Sequence, residues 1–417
     1  MNKVYISNIC THGNLLEVEI KTEGDIGQYI QSRKSLIEYG FDLGSIPKSV
    51  LVIPALSNLL PIVWLMGAEV YVDEIDEDFM CHIEQVREGF QEMYPTLSFS
   101  GCIVAKSIVS NRDRAVEGRC ACFFSGGVDA FATLYAHLEE KPLLMTVWGS
   151  DIKLDDETGW GNVLSHVRDT ARELNLDYTC IRSNFRSVPN ESSLYRAVKK
   201  SGDGWWHGFG CGMGLIGHAA VVAYHYQLER VYIASSFPAS LKGQYTCGSD
   251  PLMDNHIWYA GCRTIHDGYE MDRQQKVKYI LDCTKEQKKK PVLRVCWQSS
   301  GGKNCCACEK CYRTILEIVS EGGDPNQYGF TWGEDDVRRC EHDFRTKIDL
   351  PMSRILWSYN SIIEAFERNY SGEEIQEKYA WLLYGNIEKI NDHPMKRFRK
   401  SVFYRGWKKI WWILKRK

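Results

Sequence analysis

From about residue 118 the chain alternates short apolar runs with longer segments of helical periodicity. CACFFS is followed by AFATLYAHLEE, PLLMTVW by NVLSHVRDTARELN, then come DYTCIRS, GLIGHAAVVAYHYQL and RVYIASS. Strands without a polar face must be covered on both sides, and helices between successive strands supply the cover. The pattern therefore predicts an α/β fold with a parallel, doubly wound sheet. Ligands in such sheets sit outside the carboxyl ends of the strands, where Ser125, Trp148 and Ser235 fall.

The flanking segments read differently. Over 1–115, VYISNI and LLEVEI alternate, SVLVIP is a short apolar run, and DFMCHIEQVREGFQEMY has helical spacing, which predicts a small N-terminal α/β domain. Leu59-Leu60-Pro61 reads as the start of a buried helix. A central domain is expected over 116–325, a helical region over 326–395 and a distinct tail over 396–417.

Of the 417 residues 44% are hydrophobic and 25% charged, as in ordinary globular proteins, and the net charge of −3 gives no general basic field to attract nucleic acid. No run of about 18 apolar residues predicts a membrane-spanning helix. The start, MNKVYISNICTHGNLLEVEI, lacks an apolar leader, so a cytoplasmic location is expected and the 16 cysteines are read as thiols.

The segment Phe123-Phe124-Ser125-Gly126-Gly127-Val128-Asp129 follows the first of these strands and opens a helix. Two glycines let backbone N–H groups approach a phosphate, and the helix N-terminus adds positive partial charge. Ser125 can donate to a phosphate oxygen, and Asp129 is placed to hold Mg²⁺. The same glycines also suit a tight strand-to-helix turn with no ligand. A Walker loop is excluded by the absence of a GK[ST] ending.

Cys296, Cys305, Cys308 and Cys311 are separated by eight, two and two residues in VCWQSSGGKNCCACEKCYRT. Four soft ligands at such spacing suit tetrahedral Zn²⁺, with an iron–sulfur cluster as the alternative. A site filled by four thiolates keeps no open position, so the metal is expected to be structural. Cys306 lies inside the cluster and could replace Cys305 as ligand.

FFSGGVDAFATL resembles the SGGxDS signature of the N-type ATP pyrophosphatases, which include 7-cyano-7-deazaguanine synthase, asparagine and GMP synthetases, and the tRNA thiolases. Ser125, Gly126, Gly127 and Asp129 match that motif, whereas Ala130 stands where the family has serine or threonine. The cysteine spacing resembles the zinc site of 7-cyano-7-deazaguanine synthase, with Arg313 matching a basic residue beyond it. The resemblance covers roughly residues 118 to 320. It implies the adenine nucleotide alpha-hydrolase type of sheet and an ATP site formed by Phe124, Ser125, Gly126, Gly127, Val128, Asp129, Trp148 and Gly149. Ser125 and Asp129 would act in α–β cleavage of Mg²⁺-ATP. AMP would pass to a carboxylate or amide oxygen of a small or carrier-bound substrate, for displacement by a nitrogen nucleophile. Sulfur insertion as in the thiolases is the alternative, with Cys211, Cys247 or Cys262 as the thiol it requires. A non-catalytic nucleotide-binding protein is another, which Ala130 leaves open.

Further candidates are weaker. Trp148, Gly149, Ser150 and Asp151 read either as a ligand edge or as an ordinary turn, and His207-Gly208 either as a site or as helix packing. Asp250, Asp254, His266, Asp267 and Arg273 share one long irregular segment with the composition of a binding loop, where the family builds its substrate pocket. The SDPLMD and HDG elements there resemble uncharacterised relatives often found near glycan-assembly genes, so surface-glycan assembly is a further expectation. Lys242 and Lys276 are candidates to meet phosphate charge. The tail 396–417 carries ten basic residues and no acidic one, with Phe403, Trp407, Ile410, Trp411 and Leu414 at helical spacing. That pattern predicts peripheral attachment to an anionic inner membrane face.

Overall fold

The computed structural model describes residues 2–296, 298, 302–348, 350, 352–385 and 390. The chain divides into two compact units, Met1–Met271 with Ser300–Gly302, and Asp272–Ser299 with Lys303–Lys417.

The first unit is built on one 11-stranded sheet. Its strands are β1 Lys3–His12, β2 Leu15–Glu23, β3 Lys34–Glu38, β4 Glu69–Asp76, β5 Cys102–Val109, β6 Cys120–Phe123, β7 Leu143–Trp148, β8 Tyr178–Ser183, β9 Arg230–Ala234, β10 Trp258–Tyr259 and β11 Cys262–Asp267. They lie in the order β10-β11-β9-β6-β7-β8-β3-β2-β1-β4-β5. The run β11-β9-β6-β7-β8 is parallel throughout, as is β1-β4-β5. All four residues of β6 are buried, as strands covered on both faces must be. The α/β class and the mostly parallel sheet expected from the alternation are present.

The N-terminal strands belong to that same sheet. β3 pairs antiparallel with β8 through Ile37 and Glu38, and the Asn184 side chain clamps the junction, accepting from the Leu36 N–H and donating to the Lys34 carbonyl. Residues on both sides of position 115 therefore contribute strands to one sheet. Pro61 lies inside the helix Ile53–Leu65 rather than at its start. Every residue from Ile53 to Trp64 is buried, the all-round apolar pattern of a helix enclosed in a core.

His218 is fully buried at the start of the helix Ala219–Tyr226, and its ring is bonded at both nitrogens, Nδ1 to the Gly214 carbonyl at 2.7 Å and Nε2 to Ser183 Oγ at 2.8 Å. Burial pushes its pKa down to about 4. The folded state thus binds fewer protons than the unfolded state between about pH 4 and 6.5, so stability is full above that window and falls as pH drops through it, by about 3 kcal/mol in total. Urea unfolding at pH 7 and pH 4.5 should show this loss, and His218→Asn should flatten it.

The second unit is helical, with Arg273–Thr284, Glu309–Ser320, Glu334–Thr346, Met352–Asn369, Glu373–Lys378 and Ala380–Leu383 among its described elements. Tyr312, Leu316, Phe344, Tyr359, Ile362 and Phe366 form its apolar centre. The helical reading from about residue 335 onward holds for the described residues. The cationic tail 396–417 lies outside them, and among the described residues no helix is long and apolar enough to cross a membrane.

Candidate functional site

Phe124 is the last buried residue of the β6 run, held by its N–H on the Met145 carbonyl and by Thr146 Oγ1 on its own carbonyl. Ser125 then turns outward and is exposed. Gly126 has φ 76°, a conformation that glycine adopts without cost. Gly127 is the N-cap of the helix Val128–Ala136, and having no side chain it leaves the first turn of N–H groups uncovered from that side. Its own N–H donates to Ser125 Oγ at 3.3 Å. Asp129, half-buried, sits in the first turn, while Ala130 is buried in the layer beneath.

Trp148 ends the neighbouring strand β7 and Gly149 follows it, but both are engaged in structural contacts. The Trp148 indole stacks on Trp160 at 5.2 Å, donates to the Lys153 carbonyl, and carries the Arg182 guanidinium over its face. Gly149 has φ 106°, and a Cβ there would lie 1.9 Å from the Ser183 carbonyl oxygen. Gly149→Ala is therefore expected to destabilise the first unit by about 3 kcal/mol or more, read as a lower urea midpoint at unchanged slope.

A small, solvent-open pocket lies where β9 and β11 end. Phe237 and Tyr245, stacked at 5.6 Å, supply aromatic wall, and Lys242, Asp250, His266 and Cys247 supply polar groups. Two carboxylate–imidazole pairs stand at or beside it. His266 Nδ1 lies 2.8 Å from Asp254 Oδ2, with both side chains buried, and Ser249 Oγ donates to the same oxygen. A carboxylate oxygen accepts, so the ring donates from Nδ1 within this pair. His207 Nδ1 lies 3.0 Å from Asp203 Oδ1, and Asp203 Oδ2 also accepts from Tyr94 and Thr246. Burial alone would raise the Asp203 pKa, but His207 and the other donors hold it well below the usual carboxylate range.

His207 sits in a π-helical turn, Trp206–Gly210, that runs into the helix Cys211–Ile216. The following segment is pressed against residues 247–249, since a Cβ at Gly212 would lie 1.9 Å from the Gly248 carbonyl oxygen, and the Gly248 N–H donates to the His207 carbonyl. The Cys211 thiol donates to the His207 carbonyl at 3.2 Å. The neighbouring Cys211 thiol, with the charge of His207, holds the Cys247 pKa below the ordinary thiol value despite burial. The neighbouring Cys247 thiol and burial raise Cys211 well above its ordinary value. Cys262 is fully buried within β11, and burial pushes its thiol up as well.

The polar segment read as one binding loop is divided by the fold. Asp254 and His266 come together, and Asp250 and Lys242 join them at the pocket. Asp267 points elsewhere, accepting from Thr133 Oγ1 and bonding His137 Nε2 at 2.8 Å. That bond is the main cause of a raised His137 pKa. Ser235 is buried and donates to the Phe237 carbonyl. Arg273 and Lys276 lie in the second unit, both buried, where Arg273 pairs with Glu317. Asp203, Thr246, Tyr94, Phe237 and Tyr245 carried no signal in the sequence beyond residue type.

The four cysteines of the second unit converge, with all four Sγ atoms within 4.8 Å of one another. Cys296 and Cys308 are 3.8 Å apart, and Cys305 and Cys311 are 3.9 Å apart. A tetrahedron with arms of about 2.3 Å has edges of about 3.8 Å, so the thiols fit a four-coordinate metal ion. Cys306 faces away, its sulfur accepting from the Thr331 N–H. Asn304 braces the loop, with Oδ1 accepting from Val295 and Cys296 and Nδ2 donating to Leu293 and Gly329. Cys308 is the N-cap residue of the helix Glu309–Ser320, and the neighbouring thiols of the cluster, Cys311 first, hold its pKa below the ordinary cysteine range. Arg313, beyond the cluster, is buried and paired with Glu309. No protein-family model, no curated protein and no solved structure matches this chain.

Proposed function

We propose that this chain is an ATP-dependent adenylating enzyme of the N-type ATP pyrophosphatase kind, with the sheet type that goes with it. ATP is cleaved to AMP and pyrophosphate, and AMP activates a carboxylate or amide oxygen for attack by a nitrogen nucleophile. One observation carries the reading: Ser125-Gly126-Gly127 leaves β6 in the middle of the parallel run, with β7 and β8 on one side and β9 and β11 on the other. At that point successive connections depart in opposite directions, which is where open α/β sheets take their ligands. Exposed Ser125, the positive-φ Gly126 and the glycine-capped helix together favour a phosphate there.

The chain's own groups would act mainly by positioning and charge. Loop N–H groups and Ser125 would hold the phosphates, and Asp129 would hold Mg²⁺, which offsets the charge of the departing pyrophosphate. The pocket at the ends of β9 and β11 supports a place for the acceptor beside the nucleotide. Cys296, Cys305, Cys308 and Cys311 would hold Zn²⁺ as a structural ion, because four thiolates leave it no open position. Incubating the full chain with Mg²⁺, α-labelled ATP and fractionated cell metabolites should yield labelled AMP in one fraction. ATP binding with no AMP from any fraction would instead identify a nucleotide-binding protein without turnover.

A further inference from the structure

The exits of β6 and β9 lie side by side. Cys122 pairs with Tyr232 in parallel register, so the chain leaves both strands at one level. The pocket at the end of β9 therefore opens about 5 Å, one strand spacing, across the sheet from the strand that carries the phosphate loop. β11 is next in the sheet, and His266 stands there opposite Ile233, one residue short of the strand's end. Its imidazole lines the pocket and is fixed from several sides. Nδ1 bonds Asp254 Oδ2 at 2.8 Å, Ser249 Oγ donates to that same oxygen, and the Tyr269 ring meets the imidazole edge-on at 5.7 Å. The His266 backbone N–H donates to Asn255 Oδ1. Among the described residues nothing hydrogen-bonds Nε2, the nitrogen that remains for a ligand. A second observation points the same way. The Asp254 side chain is fully buried, and its Oδ1 meets no donor. A carboxylate so poorly solvated gains when its partner ring becomes positive, so it favours proton uptake at Nε2.

We propose that His266 is the general base that takes the proton of the nitrogen nucleophile as it attacks the acyl group activated at the phosphate loop. This rests on the adenylation reading above. The lone pair of the nitrogen forms the C–N bond to the carbonyl carbon of the acyl adenylate. The C–O bond to phosphate breaks with its electron pair leaving on AMP, and the N–H proton passes to His266 Nε2. Solvent at the open pocket then takes that proton and returns the neutral ring. No oxidant or reductant is consumed. Asp254 and Ser249 are positioning residues: the carboxylate holds the ring in place and offsets the charge it gains, and Ser249 holds the carboxylate.

The test gives the full-length chain synthetic acetyl adenylate, which supplies the activated carbonyl without ATP cleavage, and ammonium chloride as the source of the nucleophile. Acetamide is read by magnetic resonance against the rate in buffer alone. The parent should accelerate its formation, and His266→Gln should lose about 100-fold or more in kcat with little change in the KM for ammonium. Asp254→Asn should lose about tenfold or more, again in kcat. In His266→Ala, added imidazole and its methylated forms should restore acetamide formation in the order of their basicity, whereas a packing role would follow their size. A parent chain that adds nothing to the buffer rate overturns the proposal, as does a His266→Gln variant with the parent's rate. Loss in His266→Gln without rescue in His266→Ala assigns the ring to packing and overturns it too. Acetamide formed through His266 in a chain that never makes AMP from ATP leaves the base standing and rejects the adenylation reading instead.

Discussion

In the Asp129→Asn variant, substrate-dependent pyrophosphate release is expected to fall by about 10²- to 10³-fold, with the fall in kcat rather than in KM. Asparagine keeps the shape and the hydrogen-bonding reach of aspartate but loses the charge that a divalent cation needs from a side-chain ligand. Asp129 stands in the first turn of the helix Val128–Ala136, so its carboxylate lies where the helix dipole also draws phosphate. Glycine-lined N–H groups and Ser125 remain in the variant, and ground-state binding of the nucleotide should persist. On the proposed mechanism, what would be lost is neutralisation of the charge that develops as the α–β bond breaks, an interaction strongest in the transition state. Steady-state pyrophosphate release, with nucleotide binding measured separately by calorimetry, distinguishes the two. Unchanged release in this variant would remove Asp129 from the mechanism.

Apolar strands with intervening helices were the most legible part of the chain. β6, β7, β8 and β9 fall where CACFFS, PLLMTVW, DYTCIRS and RVYIASS predict them, because a strand buried on both faces has little freedom in composition. β11 was hidden. Its sequence, CRTIHD, alternates buried and exposed residues and carries charge, so beside Asp250 and Asp254 it read as loop. The joining of β3 to β8 was equally hidden, since its backbone pairing involves only two residues of β3 and its clamp is a single asparagine.

For the site, motifs defined by short spacing were legible and pairings made by long-range folding were not. Ser125 to Asp129 and the cysteines from 305 to 311 are local. Asp254 and His266 lie on a short helix and on β11, and Asp203 reaches Thr246 across the helices Cys211–Ile216 and Ala219–Tyr226 and strand β9. The residue types were visible in the sequence, but their partners depended on the order in which β9 and β11 lie in the sheet.

Replacing Cys308 by alanine is expected to abolish metal binding and to cost the second unit about 5 kcal/mol or more, a fall of about 10 °C or more in its unfolding temperature. Cys308 carries two burdens: it bonds with the other thiols of the cluster, and it is the N-cap residue from which the helix Glu309–Ser320 departs. That helix supplies Tyr312 and Leu316 to the apolar centre of the unit, so loosening its first turn removes support from buried side chains. Cys306→Ala provides the control. Its sulfur faces the Thr331 N–H rather than the other four thiols, and the variant should keep one metal ion per chain and nearly the parent's stability. Metal content by elemental analysis and unfolding by calorimetry read both variants. Visible absorbance separates the two candidate occupants, since Zn²⁺ is colourless and an iron–sulfur cluster is not. If Cys306→Ala lost the metal while Cys308→Ala kept it, the converging set of thiols would be wrong, and with it the structural role assigned to the ion.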